Sequence, residues 1–233
     1  AIYEGRVIYD NIKKFISYLF SCNLSEILTM LFASLLGHPL PLLPLQILWL
    51  NLITDVFPAL ALAAEPGEAD IMKRHPTDPD SSLVGRGMGI SIGLNGLLIT
   101  IPTVAVFMFG ILYRGYNGVN GANPAITMSF LTIGFGQLFH VFNCRKLSGP
   151  VRGSEWVSNH YMLGACGLTV GLMLAAVYVP ILQRVLKTVP PVPVDWAVIL
   201  AGASTPLLVG QAVDWVQLWR KGEPGIPASN PAR

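Results

Sequence analysis

Residues 23–58 read NLSEILTMLFASLLGHPLPLLPLQILWLNLITDVFP, and this stretch decides the fold. Two apolar segments flank a turn at Gly37-His38-Pro39-Leu40-Pro41, and each carries polar side chains inside its apolar run: Asn23 and Glu26 before the turn, Asn51, Thr54 and Asp55 after it. If the segments are antiparallel membrane helices, the sequence midpoint between Glu26 and Asp55 falls on the turn, so the two carboxylates share one depth and face each other. Asn23 and Glu26 are spaced i, i+3, as are Asn51 and Thr54, and Asn51 and Asp55 are spaced i, i+4, which gives each helix one oxygen-bearing face. A carboxylate near the bilayer centre costs roughly 3 kcal/mol on insertion scales, so it is kept where it has a partner or a function. For Glu26 the alternative is a protonated carboxyl hydrogen-bonded to a neighbouring helix. Pro58 has no N–H for the carbonyl of Thr54 and its ring crowds that carbonyl, so a kink or a break is expected there. A carbonyl freed beside Asp55 is expected to be a further ion ligand, as in transporters with broken helices; a packing kink with a hydrated carbonyl is the alternative.

Composition supports a membrane setting. Of 233 residues 52% are hydrophobic and 12% charged, against roughly 25% charged in soluble domains, and the mean hydropathy is +0.56. Blocks long enough to cross about 30 Å of hydrocarbon, which takes roughly 20 helical residues, occur at approximately 13–36, 42–64, 87–113, 124–144, 159–182 and 195–219. The expected fold is therefore all-α: a polytopic bundle of six transmembrane helices with a kinked or unwound second helix, one domain over 1–233. A net charge of +2 is too small to suggest nucleic acid, and the lipid bilayer is the expected partner. With both termini cytoplasmic, Arg6, Lys13, Lys14, Lys73, Arg74, Arg86, Arg145, Lys146, Arg152, Arg220, Lys221 and Arg233 lie inside, and Arg114, Arg184 and Lys187 outside, which is the positive-inside pattern. Cys22, Cys144 and Cys166 occupy three different spans without metal-ligand spacing, so neither a disulfide framework nor a zinc site is indicated. No signal peptide precedes the first span, and a chain opening at Ala1 without Met reads as a fragment of a longer protein.

The remaining segments contribute less. Residues 1–14 are of mixed polarity and continue into the first span, so that helix is expected to project as a stalk. The connection 65–86, with Pro66, Pro76 and Pro79, reads as an ordered non-helical loop whose mixed charges need nothing beyond solvation. Gly89, Gly93 and Gly96 of the third span are spaced for close helix approach. In the loop 115–124, Asn117, Asn120 and Asn123 lack the N-x-[ST] pattern. The fourth span puts Gln137, His140 and Asn143 on one face, with Gly134 and Gly136 allowing close contact; Gln137 is a possible ion contact, and His140 reads as a packing residue. The last two spans carry no ionisable group in their middles and look structural, with Trp156, Tyr161, Tyr178, Trp196, Trp215 and Trp219 near their ends as interfacial anchors.

The segments EGRVIYDNIKKFISYLFSCNLSEI and PLQILWLNLITDVFPALAL closely resemble the start of the C-terminal membrane half of P-type cation-transporting ATPases, especially calcium pumps of the sarcoplasmic-reticulum and Golgi type. The motif-level likeness covers residues 4–76, and the six-helix layout, with D-I-M in the loop after the second helix, covers the rest. The resemblance implies that Asn23, Glu26, Asn51, Thr54 and Asp55 match calcium-coordinating motifs. It also implies a Glu on the fourth helix in two-ion pumps, where this chain has Gln137; one negative charge is thereby removed, which moves the chain towards members thought to carry one ion.

The donors themselves suit a hard cation taking six to eight oxygens, and the set contains no thiolate or imidazole for a softer metal. Sodium, manganese or another small cation stays open, since donor type does not measure cavity size. The chain has no D-K-T-G phosphorylation motif, no nucleotide domain and no earlier helix pair with the family's Pro-Glu motif, so it is expected not to hydrolyse ATP alone. By the resemblance, Ca2+ is the transported ion, and ATP and Mg2+ act through N-terminal helices and cytoplasmic domains of the same pump. The 1–14 stalk and the 65–86 loop would transmit the movement that phosphorylation drives. The competing readings are a self-contained six-helix carrier and a non-transporting scaffold.

Overall fold

The computed structural model describes residues 1–68, 71–72, 83–115, 123–145 and 159–220. Lys73, Arg74, Pro76, Pro79, Asn117, Asn120, Lys146, Arg152, Trp156, Lys221 and Arg233 lie outside the described residues, as do the positions around them. Among the described residues the ordered elements are all helical, and six helices are long and apolar enough to cross a membrane.

Helix α1 (Ile2–Leu35) has 34 residues, about 51 Å at 1.5 Å per residue. That exceeds a hydrocarbon core of about 30 Å, so its first turns form the expected stalk. Its buried residues, among them Lys14, Tyr18, Cys22, Ser25, Glu26 and Ala33, recur at steps of three and four and line one face. Gly37, at φ 71°, turns the chain after α1, a backbone region glycine enters without a Cβ penalty.

The second span divides into α2 (Pro44–Leu50), a π-helix (Asn51–Asp55) and α3 (Val56–Ala63). The distortion expected around Pro58 is present but takes another form: the helix widens upstream of the proline and runs on through it, with Pro58 buried inside α3. The two carbonyls next to the proline gap are taken by side-chain hydroxyls from other helices. Tyr18 donates to Thr54 O at 2.9 Å and Thr169 to Ile53 O at 3.1 Å. The carbonyl expected as a free ion ligand is thus hydrogen-bonded, which satisfies a group that hydrocarbon cannot.

Helices α4 (Arg86–Leu112), α5 (Pro124–Asn143), α6 (His160–Tyr178), the short α7 (Pro180–Leu186) and α8 (Pro193–Arg220) complete the bundle. Helix α5 is its axis, buried at almost every position and packed chiefly on α8 and α4. Its sequence allows this. Gly134 faces Leu50 and Met173, where a Cβ would collide, and the hydroxyls of Thr127 and Thr132 donate to carbonyls one turn back at 3.2 and 2.7 Å. Of Gly89, Gly93 and Gly96 only Gly96 meets a neighbour, with Leu24 side-chain carbons 3.2 Å from where a Cβ would stand, while Gly89 and Gly93 face open space; the close approach at the far end of α4 is made by Gly110, where a Cβ would stand 2.8 Å from that of Ala125. The expected three-glycine contact is a one-glycine contact, because same-face spacing aligns the glycines with one another but does not decide how far along α4 a neighbouring helix stays close.

The connection after α3 departs further from expectation. Its first residues are tied into the helices: Arg6 donates to Ile71 O at 2.9 Å, and Lys14, itself buried, pairs with Glu68 at 3.2 Å. Glu65 is buried and receives Arg145 Nε at 2.9 Å and Nη2 at 2.6 Å on one oxygen, and Asn159 Nδ2 at 2.8 Å on the other. These charges need partners as well as water, because burial without a partner is costly. At the opposite end of the bundle Arg114 pairs with the buried Asp195 of α8 at 3.3 Å.

Candidate ion-binding site

The side chains singled out from the sequence come together at mid-span between α1, the π-helix and α5. Asn23 donates to Asp55 Oδ2 at 3.0 Å, closing the gap between α1 and the second span on its exposed flank. Glu26, 4% exposed, points inward. The Asn51 amide, oriented with Nδ2 towards it, lies 3.3 and 3.2 Å from the two Glu26 oxygens. Thr54 Oγ1 lies 2.8 Å from Leu50 O, 2.9 Å from Gln137 Oε1 and 3.4 Å from Asp55 Oδ1, and its single proton serves one of them at a time.

The π-turn explains how three second-span residues reach one centre. A π-turn widens the helix locally, so Asn51, Thr54 and Asp55 fan over a broader arc than α-helical spacing allows, and one short segment addresses both Glu26 on α1 and Gln137 on α5. Pro58 acts through the carbonyls it leaves for Tyr18 and Thr169, both outside the oxygen cluster.

Gln137 is fully buried and engaged at both ends of its amide. Nε2 donates to Glu26 Oε1 at 3.0 Å and to Cys22 O at 3.4 Å, and Oε1 faces the Thr54 hydroxyl. It bridges two other site residues, so its amide oxygen is already committed to Thr54 in this arrangement. His140, also fully buried, contacts Cys144 Sγ at 3.2 Å and stacks on Tyr18 at 6.2 Å between ring centroids; it packs one turn beyond the oxygen cluster. Asn143 donates to Pro206 O at 2.8 Å and accepts from Gln211 at 3.0 Å, which places it in the α5–α8 contact.

The chemistry available is that of a small, hard cation. Two carboxylates lie within reach of three amides and a hydroxyl, and among the described residues no Lys or Arg pairs with either carboxylate. Turning the Asn23 and Asn51 amides about their last torsion presents Oδ1 in place of Nδ2, which supplies neutral oxygens beside the carboxylate oxygens; such oxygen-rich sets suit calcium. The flank at Asn23 is open, and Asn51 and Asp55 are only half-buried. Exposed apolar side chains border that notch, Phe20, Ile27 and Leu31 on α1 and Leu52, Val56 and Leu60 on the second span.

Sequence reasoning missed Tyr18 and Thr169, the donors that satisfy the π-turn, and the Glu65–Arg145–Asn159 group. Thr169 lies in a span read as structural only. A hydroxyl within an apolar span opposite a proline-interrupted one was the signal available.

Residues 39–216 match the family described as "Cation transporting ATPase, C-terminus". A calcium-transporting ATPase of Bacillus subtilis is 42% identical over 212 residues, covering 90% of this chain and 23% of that protein. Calcium-transporting ATPase 1 of Bacillus cereus is 34% identical over 226 residues, covering 91% of this chain and 25% of its own length. An endoplasmic reticulum-type calcium-transporting ATPase of Arabidopsis thaliana is 27% identical over 267 residues, again covering 25% of that protein. The chain thus spans about a quarter of the length of the curated relatives it matches.

Proposed function

The chain belongs to the C-terminal family of cation-transporting ATPases, and from that premise we propose that it is the ion-translocating membrane domain of an ATP-driven calcium pump. The observation that carries the reading is the pair Glu26 and Asp55, held at one depth by Asn23, Asn51, Thr54 and Gln137 with no basic partner among the described residues. Two such carboxylates in a low-dielectric setting call for a cation. Calcium is the substrate here, bound by the carboxylates and the amide oxygens of α1 and the π-helix.

A polar notch between Asn23 and Asp55 is not stable against lipid tails. A further transmembrane segment of the same pump covers it, resting on the apolar side chains of its rim. ATP and Mg2+ act in parts of the pump that this sequence does not contain. The stalk end, with Arg6, Lys13, Lys14 and Arg145, faces the cytoplasm, and the end with Arg114, Arg184 and Lys187 faces outward.

The test uses the full-length pump. Asp55→Asn keeps the shape of the side chain and removes its charge; calcium-dependent phosphorylation from ATP is expected to vanish while the protein still inserts. Unchanged calcium dependence would remove Asp55 from the site. The isolated chain, incubated with labelled ATP, is expected to form no acid-stable phosphoenzyme.

A further inference from the structure

The group around Glu65 lies remote from the oxygen cluster, yet it shares its supporting helices. Arg145 follows directly on the end of α5, and Asn159 caps α6, accepting from Met162 N at 3.0 Å. The same two helices hold the π-turn, α5 through Gln137 on Thr54 at 2.9 Å and α6 through Thr169 on Ile53 O at 3.1 Å. Segment 53–65 is therefore gripped at both ends by the same pair of neighbours.

Between the grips runs α3, an apolar helix with Ala59, Ala61 and Leu62 buried against Tyr18, Val141 and Met162. Its last carbonyls lack a full set of intrahelical donors and are capped by side chains, Ala61 O accepting also from Ala64 N at 3.3 Å. Asn159 Nδ2 donates to Ala61 O at 3.1 Å, and Asn11 Nδ2 donates to Ala63 O at 3.1 Å and to Glu65 O at 2.7 Å. A short helix fixed in this way moves as one body, about 15 Å from Asp55 to Glu65 at helical rise. A rotation or slide at its Glu65 end is delivered to Asp55 and Thr54.

We propose that Glu65, Arg145 and Asn159 form a positioning set for ion binding, which fixes α3 against α5 and α6 and so holds Thr54 and Asp55 in register with Glu26 and Gln137. None of the three touches the ion. The proposal rests on the calcium-site reading above and adds residues outside that site. Loosening the set broadens the positions open to Asp55 and weakens ion binding without changing any ligand.

The test is made in the full-length pump with three variants. Asn159→Ser keeps an N-cap oxygen for α6 but removes the amide that reaches Ala61 and Glu65. Glu65→Gln removes the charge facing Arg145. Glu65→Gln combined with Arg145→Met removes both charges, and it serves where the single change fails to accumulate in the membrane. The reading is the calcium concentration for half-maximal phosphorylation, set against the maximal phosphoenzyme level per inserted pump. Asn159→Ser and whichever Glu65 variant inserts are expected to raise that concentration by roughly tenfold, within the range by which residues coupled to a site through packed helices shift its affinity, with the maximal level kept. Arg114→Gln, at the other end of the bundle, is expected to leave it unchanged. Wild-type calcium dependence in Asn159→Ser and the Glu65 variant would overturn the inference, as would an equal shift in Arg114→Gln. Asp55→Asn separates the two readings: if it abolishes calcium binding while the Glu65 and Asn159 variants bind normally, only the positioning role fails, and if it binds calcium normally, the site itself is misassigned.

Discussion

Asp55 and Glu65 stand on the same segment of chain, yet the bundle treats their charges in opposite ways. Glu65 is met by the Arg145 guanidinium at 2.6 Å and by Asn159 at 2.8 Å, so both its oxygens are engaged and one positive charge balances it. Asp55 receives the Asn23 amide at 3.0 Å and the Thr54 hydroxyl at 3.4 Å, and its neighbour Glu26 receives the amides of Gln137 and Asn51. One cluster sets a cation against its carboxylate, and the other carries two carboxylates balanced, among the described residues, by dipoles alone. A closed ion pair has no use for a further cation, whereas a pair of carboxylates surrounded by reversible amides can take one. The number of buried charges therefore does not single out the proposed ion site; the unbalanced sign does.

The largest effect that could break this contrast comes from removing one partner on each side. Arg145→Met strands Glu65 as a buried unpaired charge, a loss of about 3–5 kcal/mol in stability, and is expected to lower the thermal-inactivation temperature of the detergent-solubilised pump sharply. Asp55→Asn is expected to leave that temperature unchanged or raised, because it removes a charge with no basic partner among the described residues, while calcium binding disappears. If Asp55→Asn were as destabilising as Arg145→Met, the two clusters would not differ in kind.

Stoichiometry sharpens the same point. Two divalent ions would bring four positive charges towards the carboxylates of Glu26 and Asp55, and excess charge in a low-dielectric site is costly; Gln137 adds only a neutral amide. Equilibrium binding of radioactive calcium to the purified pump is expected to give a ratio near one per phosphorylation site. A ratio near two, with a Hill coefficient clearly above one, would count against the single-ion reading. Gln137→Leu cuts the bridge between Glu26 and Thr54, and is expected to raise the half-saturating calcium concentration by about tenfold, in the range for lost outer-shell support.

The two clusters also differ in how far the sequence disclosed them. Asn23, Glu26, Asn51, Thr54 and Asp55 could be brought together on paper because helical spacing fixes a face and a symmetric turn fixes a depth. Both rules act within one hairpin. Glu65 and Arg145 are 80 residues apart, and their pairing depends on how α3, α5 and α6 pack, which no local period encodes. Arg145 was absorbed into the count of inside-facing basic residues, and Glu65 into a loop read as solvated. Pro58 announced a distortion, but whether it becomes a break or a π-turn depends on hydroxyls of Tyr18 and Thr169 arriving from other helices. Gly89 and Gly93 show the converse: the spacing of small residues was visible, but the face they occupy was not.

The smallest predicted effect tests the link between the clusters, the hydroxyl of Thr169 on the carbonyl of Ile53. Thr169 is fully buried on α6, and its hydroxyl donates to a backbone carbonyl of a residue that is not a proposed ion ligand. Thr169→Val keeps the branched shape and deletes only the donor, leaving the Ile53 carbonyl beside the proline gap unpaired. Hydrogen bonds between membrane helices average about 0.6 kcal/mol, so the expected change is about threefold in half-saturating calcium, with maximal phosphorylation kept. The direction follows from the geometry. With its carbonyl released, the π-turn can relax towards regular α-helix, which narrows the arc over which Asn51, Thr54 and Asp55 fan and moves Asp55 away from Glu26. Serine at the same position restores the hydroxyl without the methyl group, so Thr169→Ser is expected to bind calcium as the unmodified pump does. If valine and serine shift the affinity equally, packing rather than the hydrogen bond holds the π-turn, and the account of how α6 supports the open cluster would have to be given up.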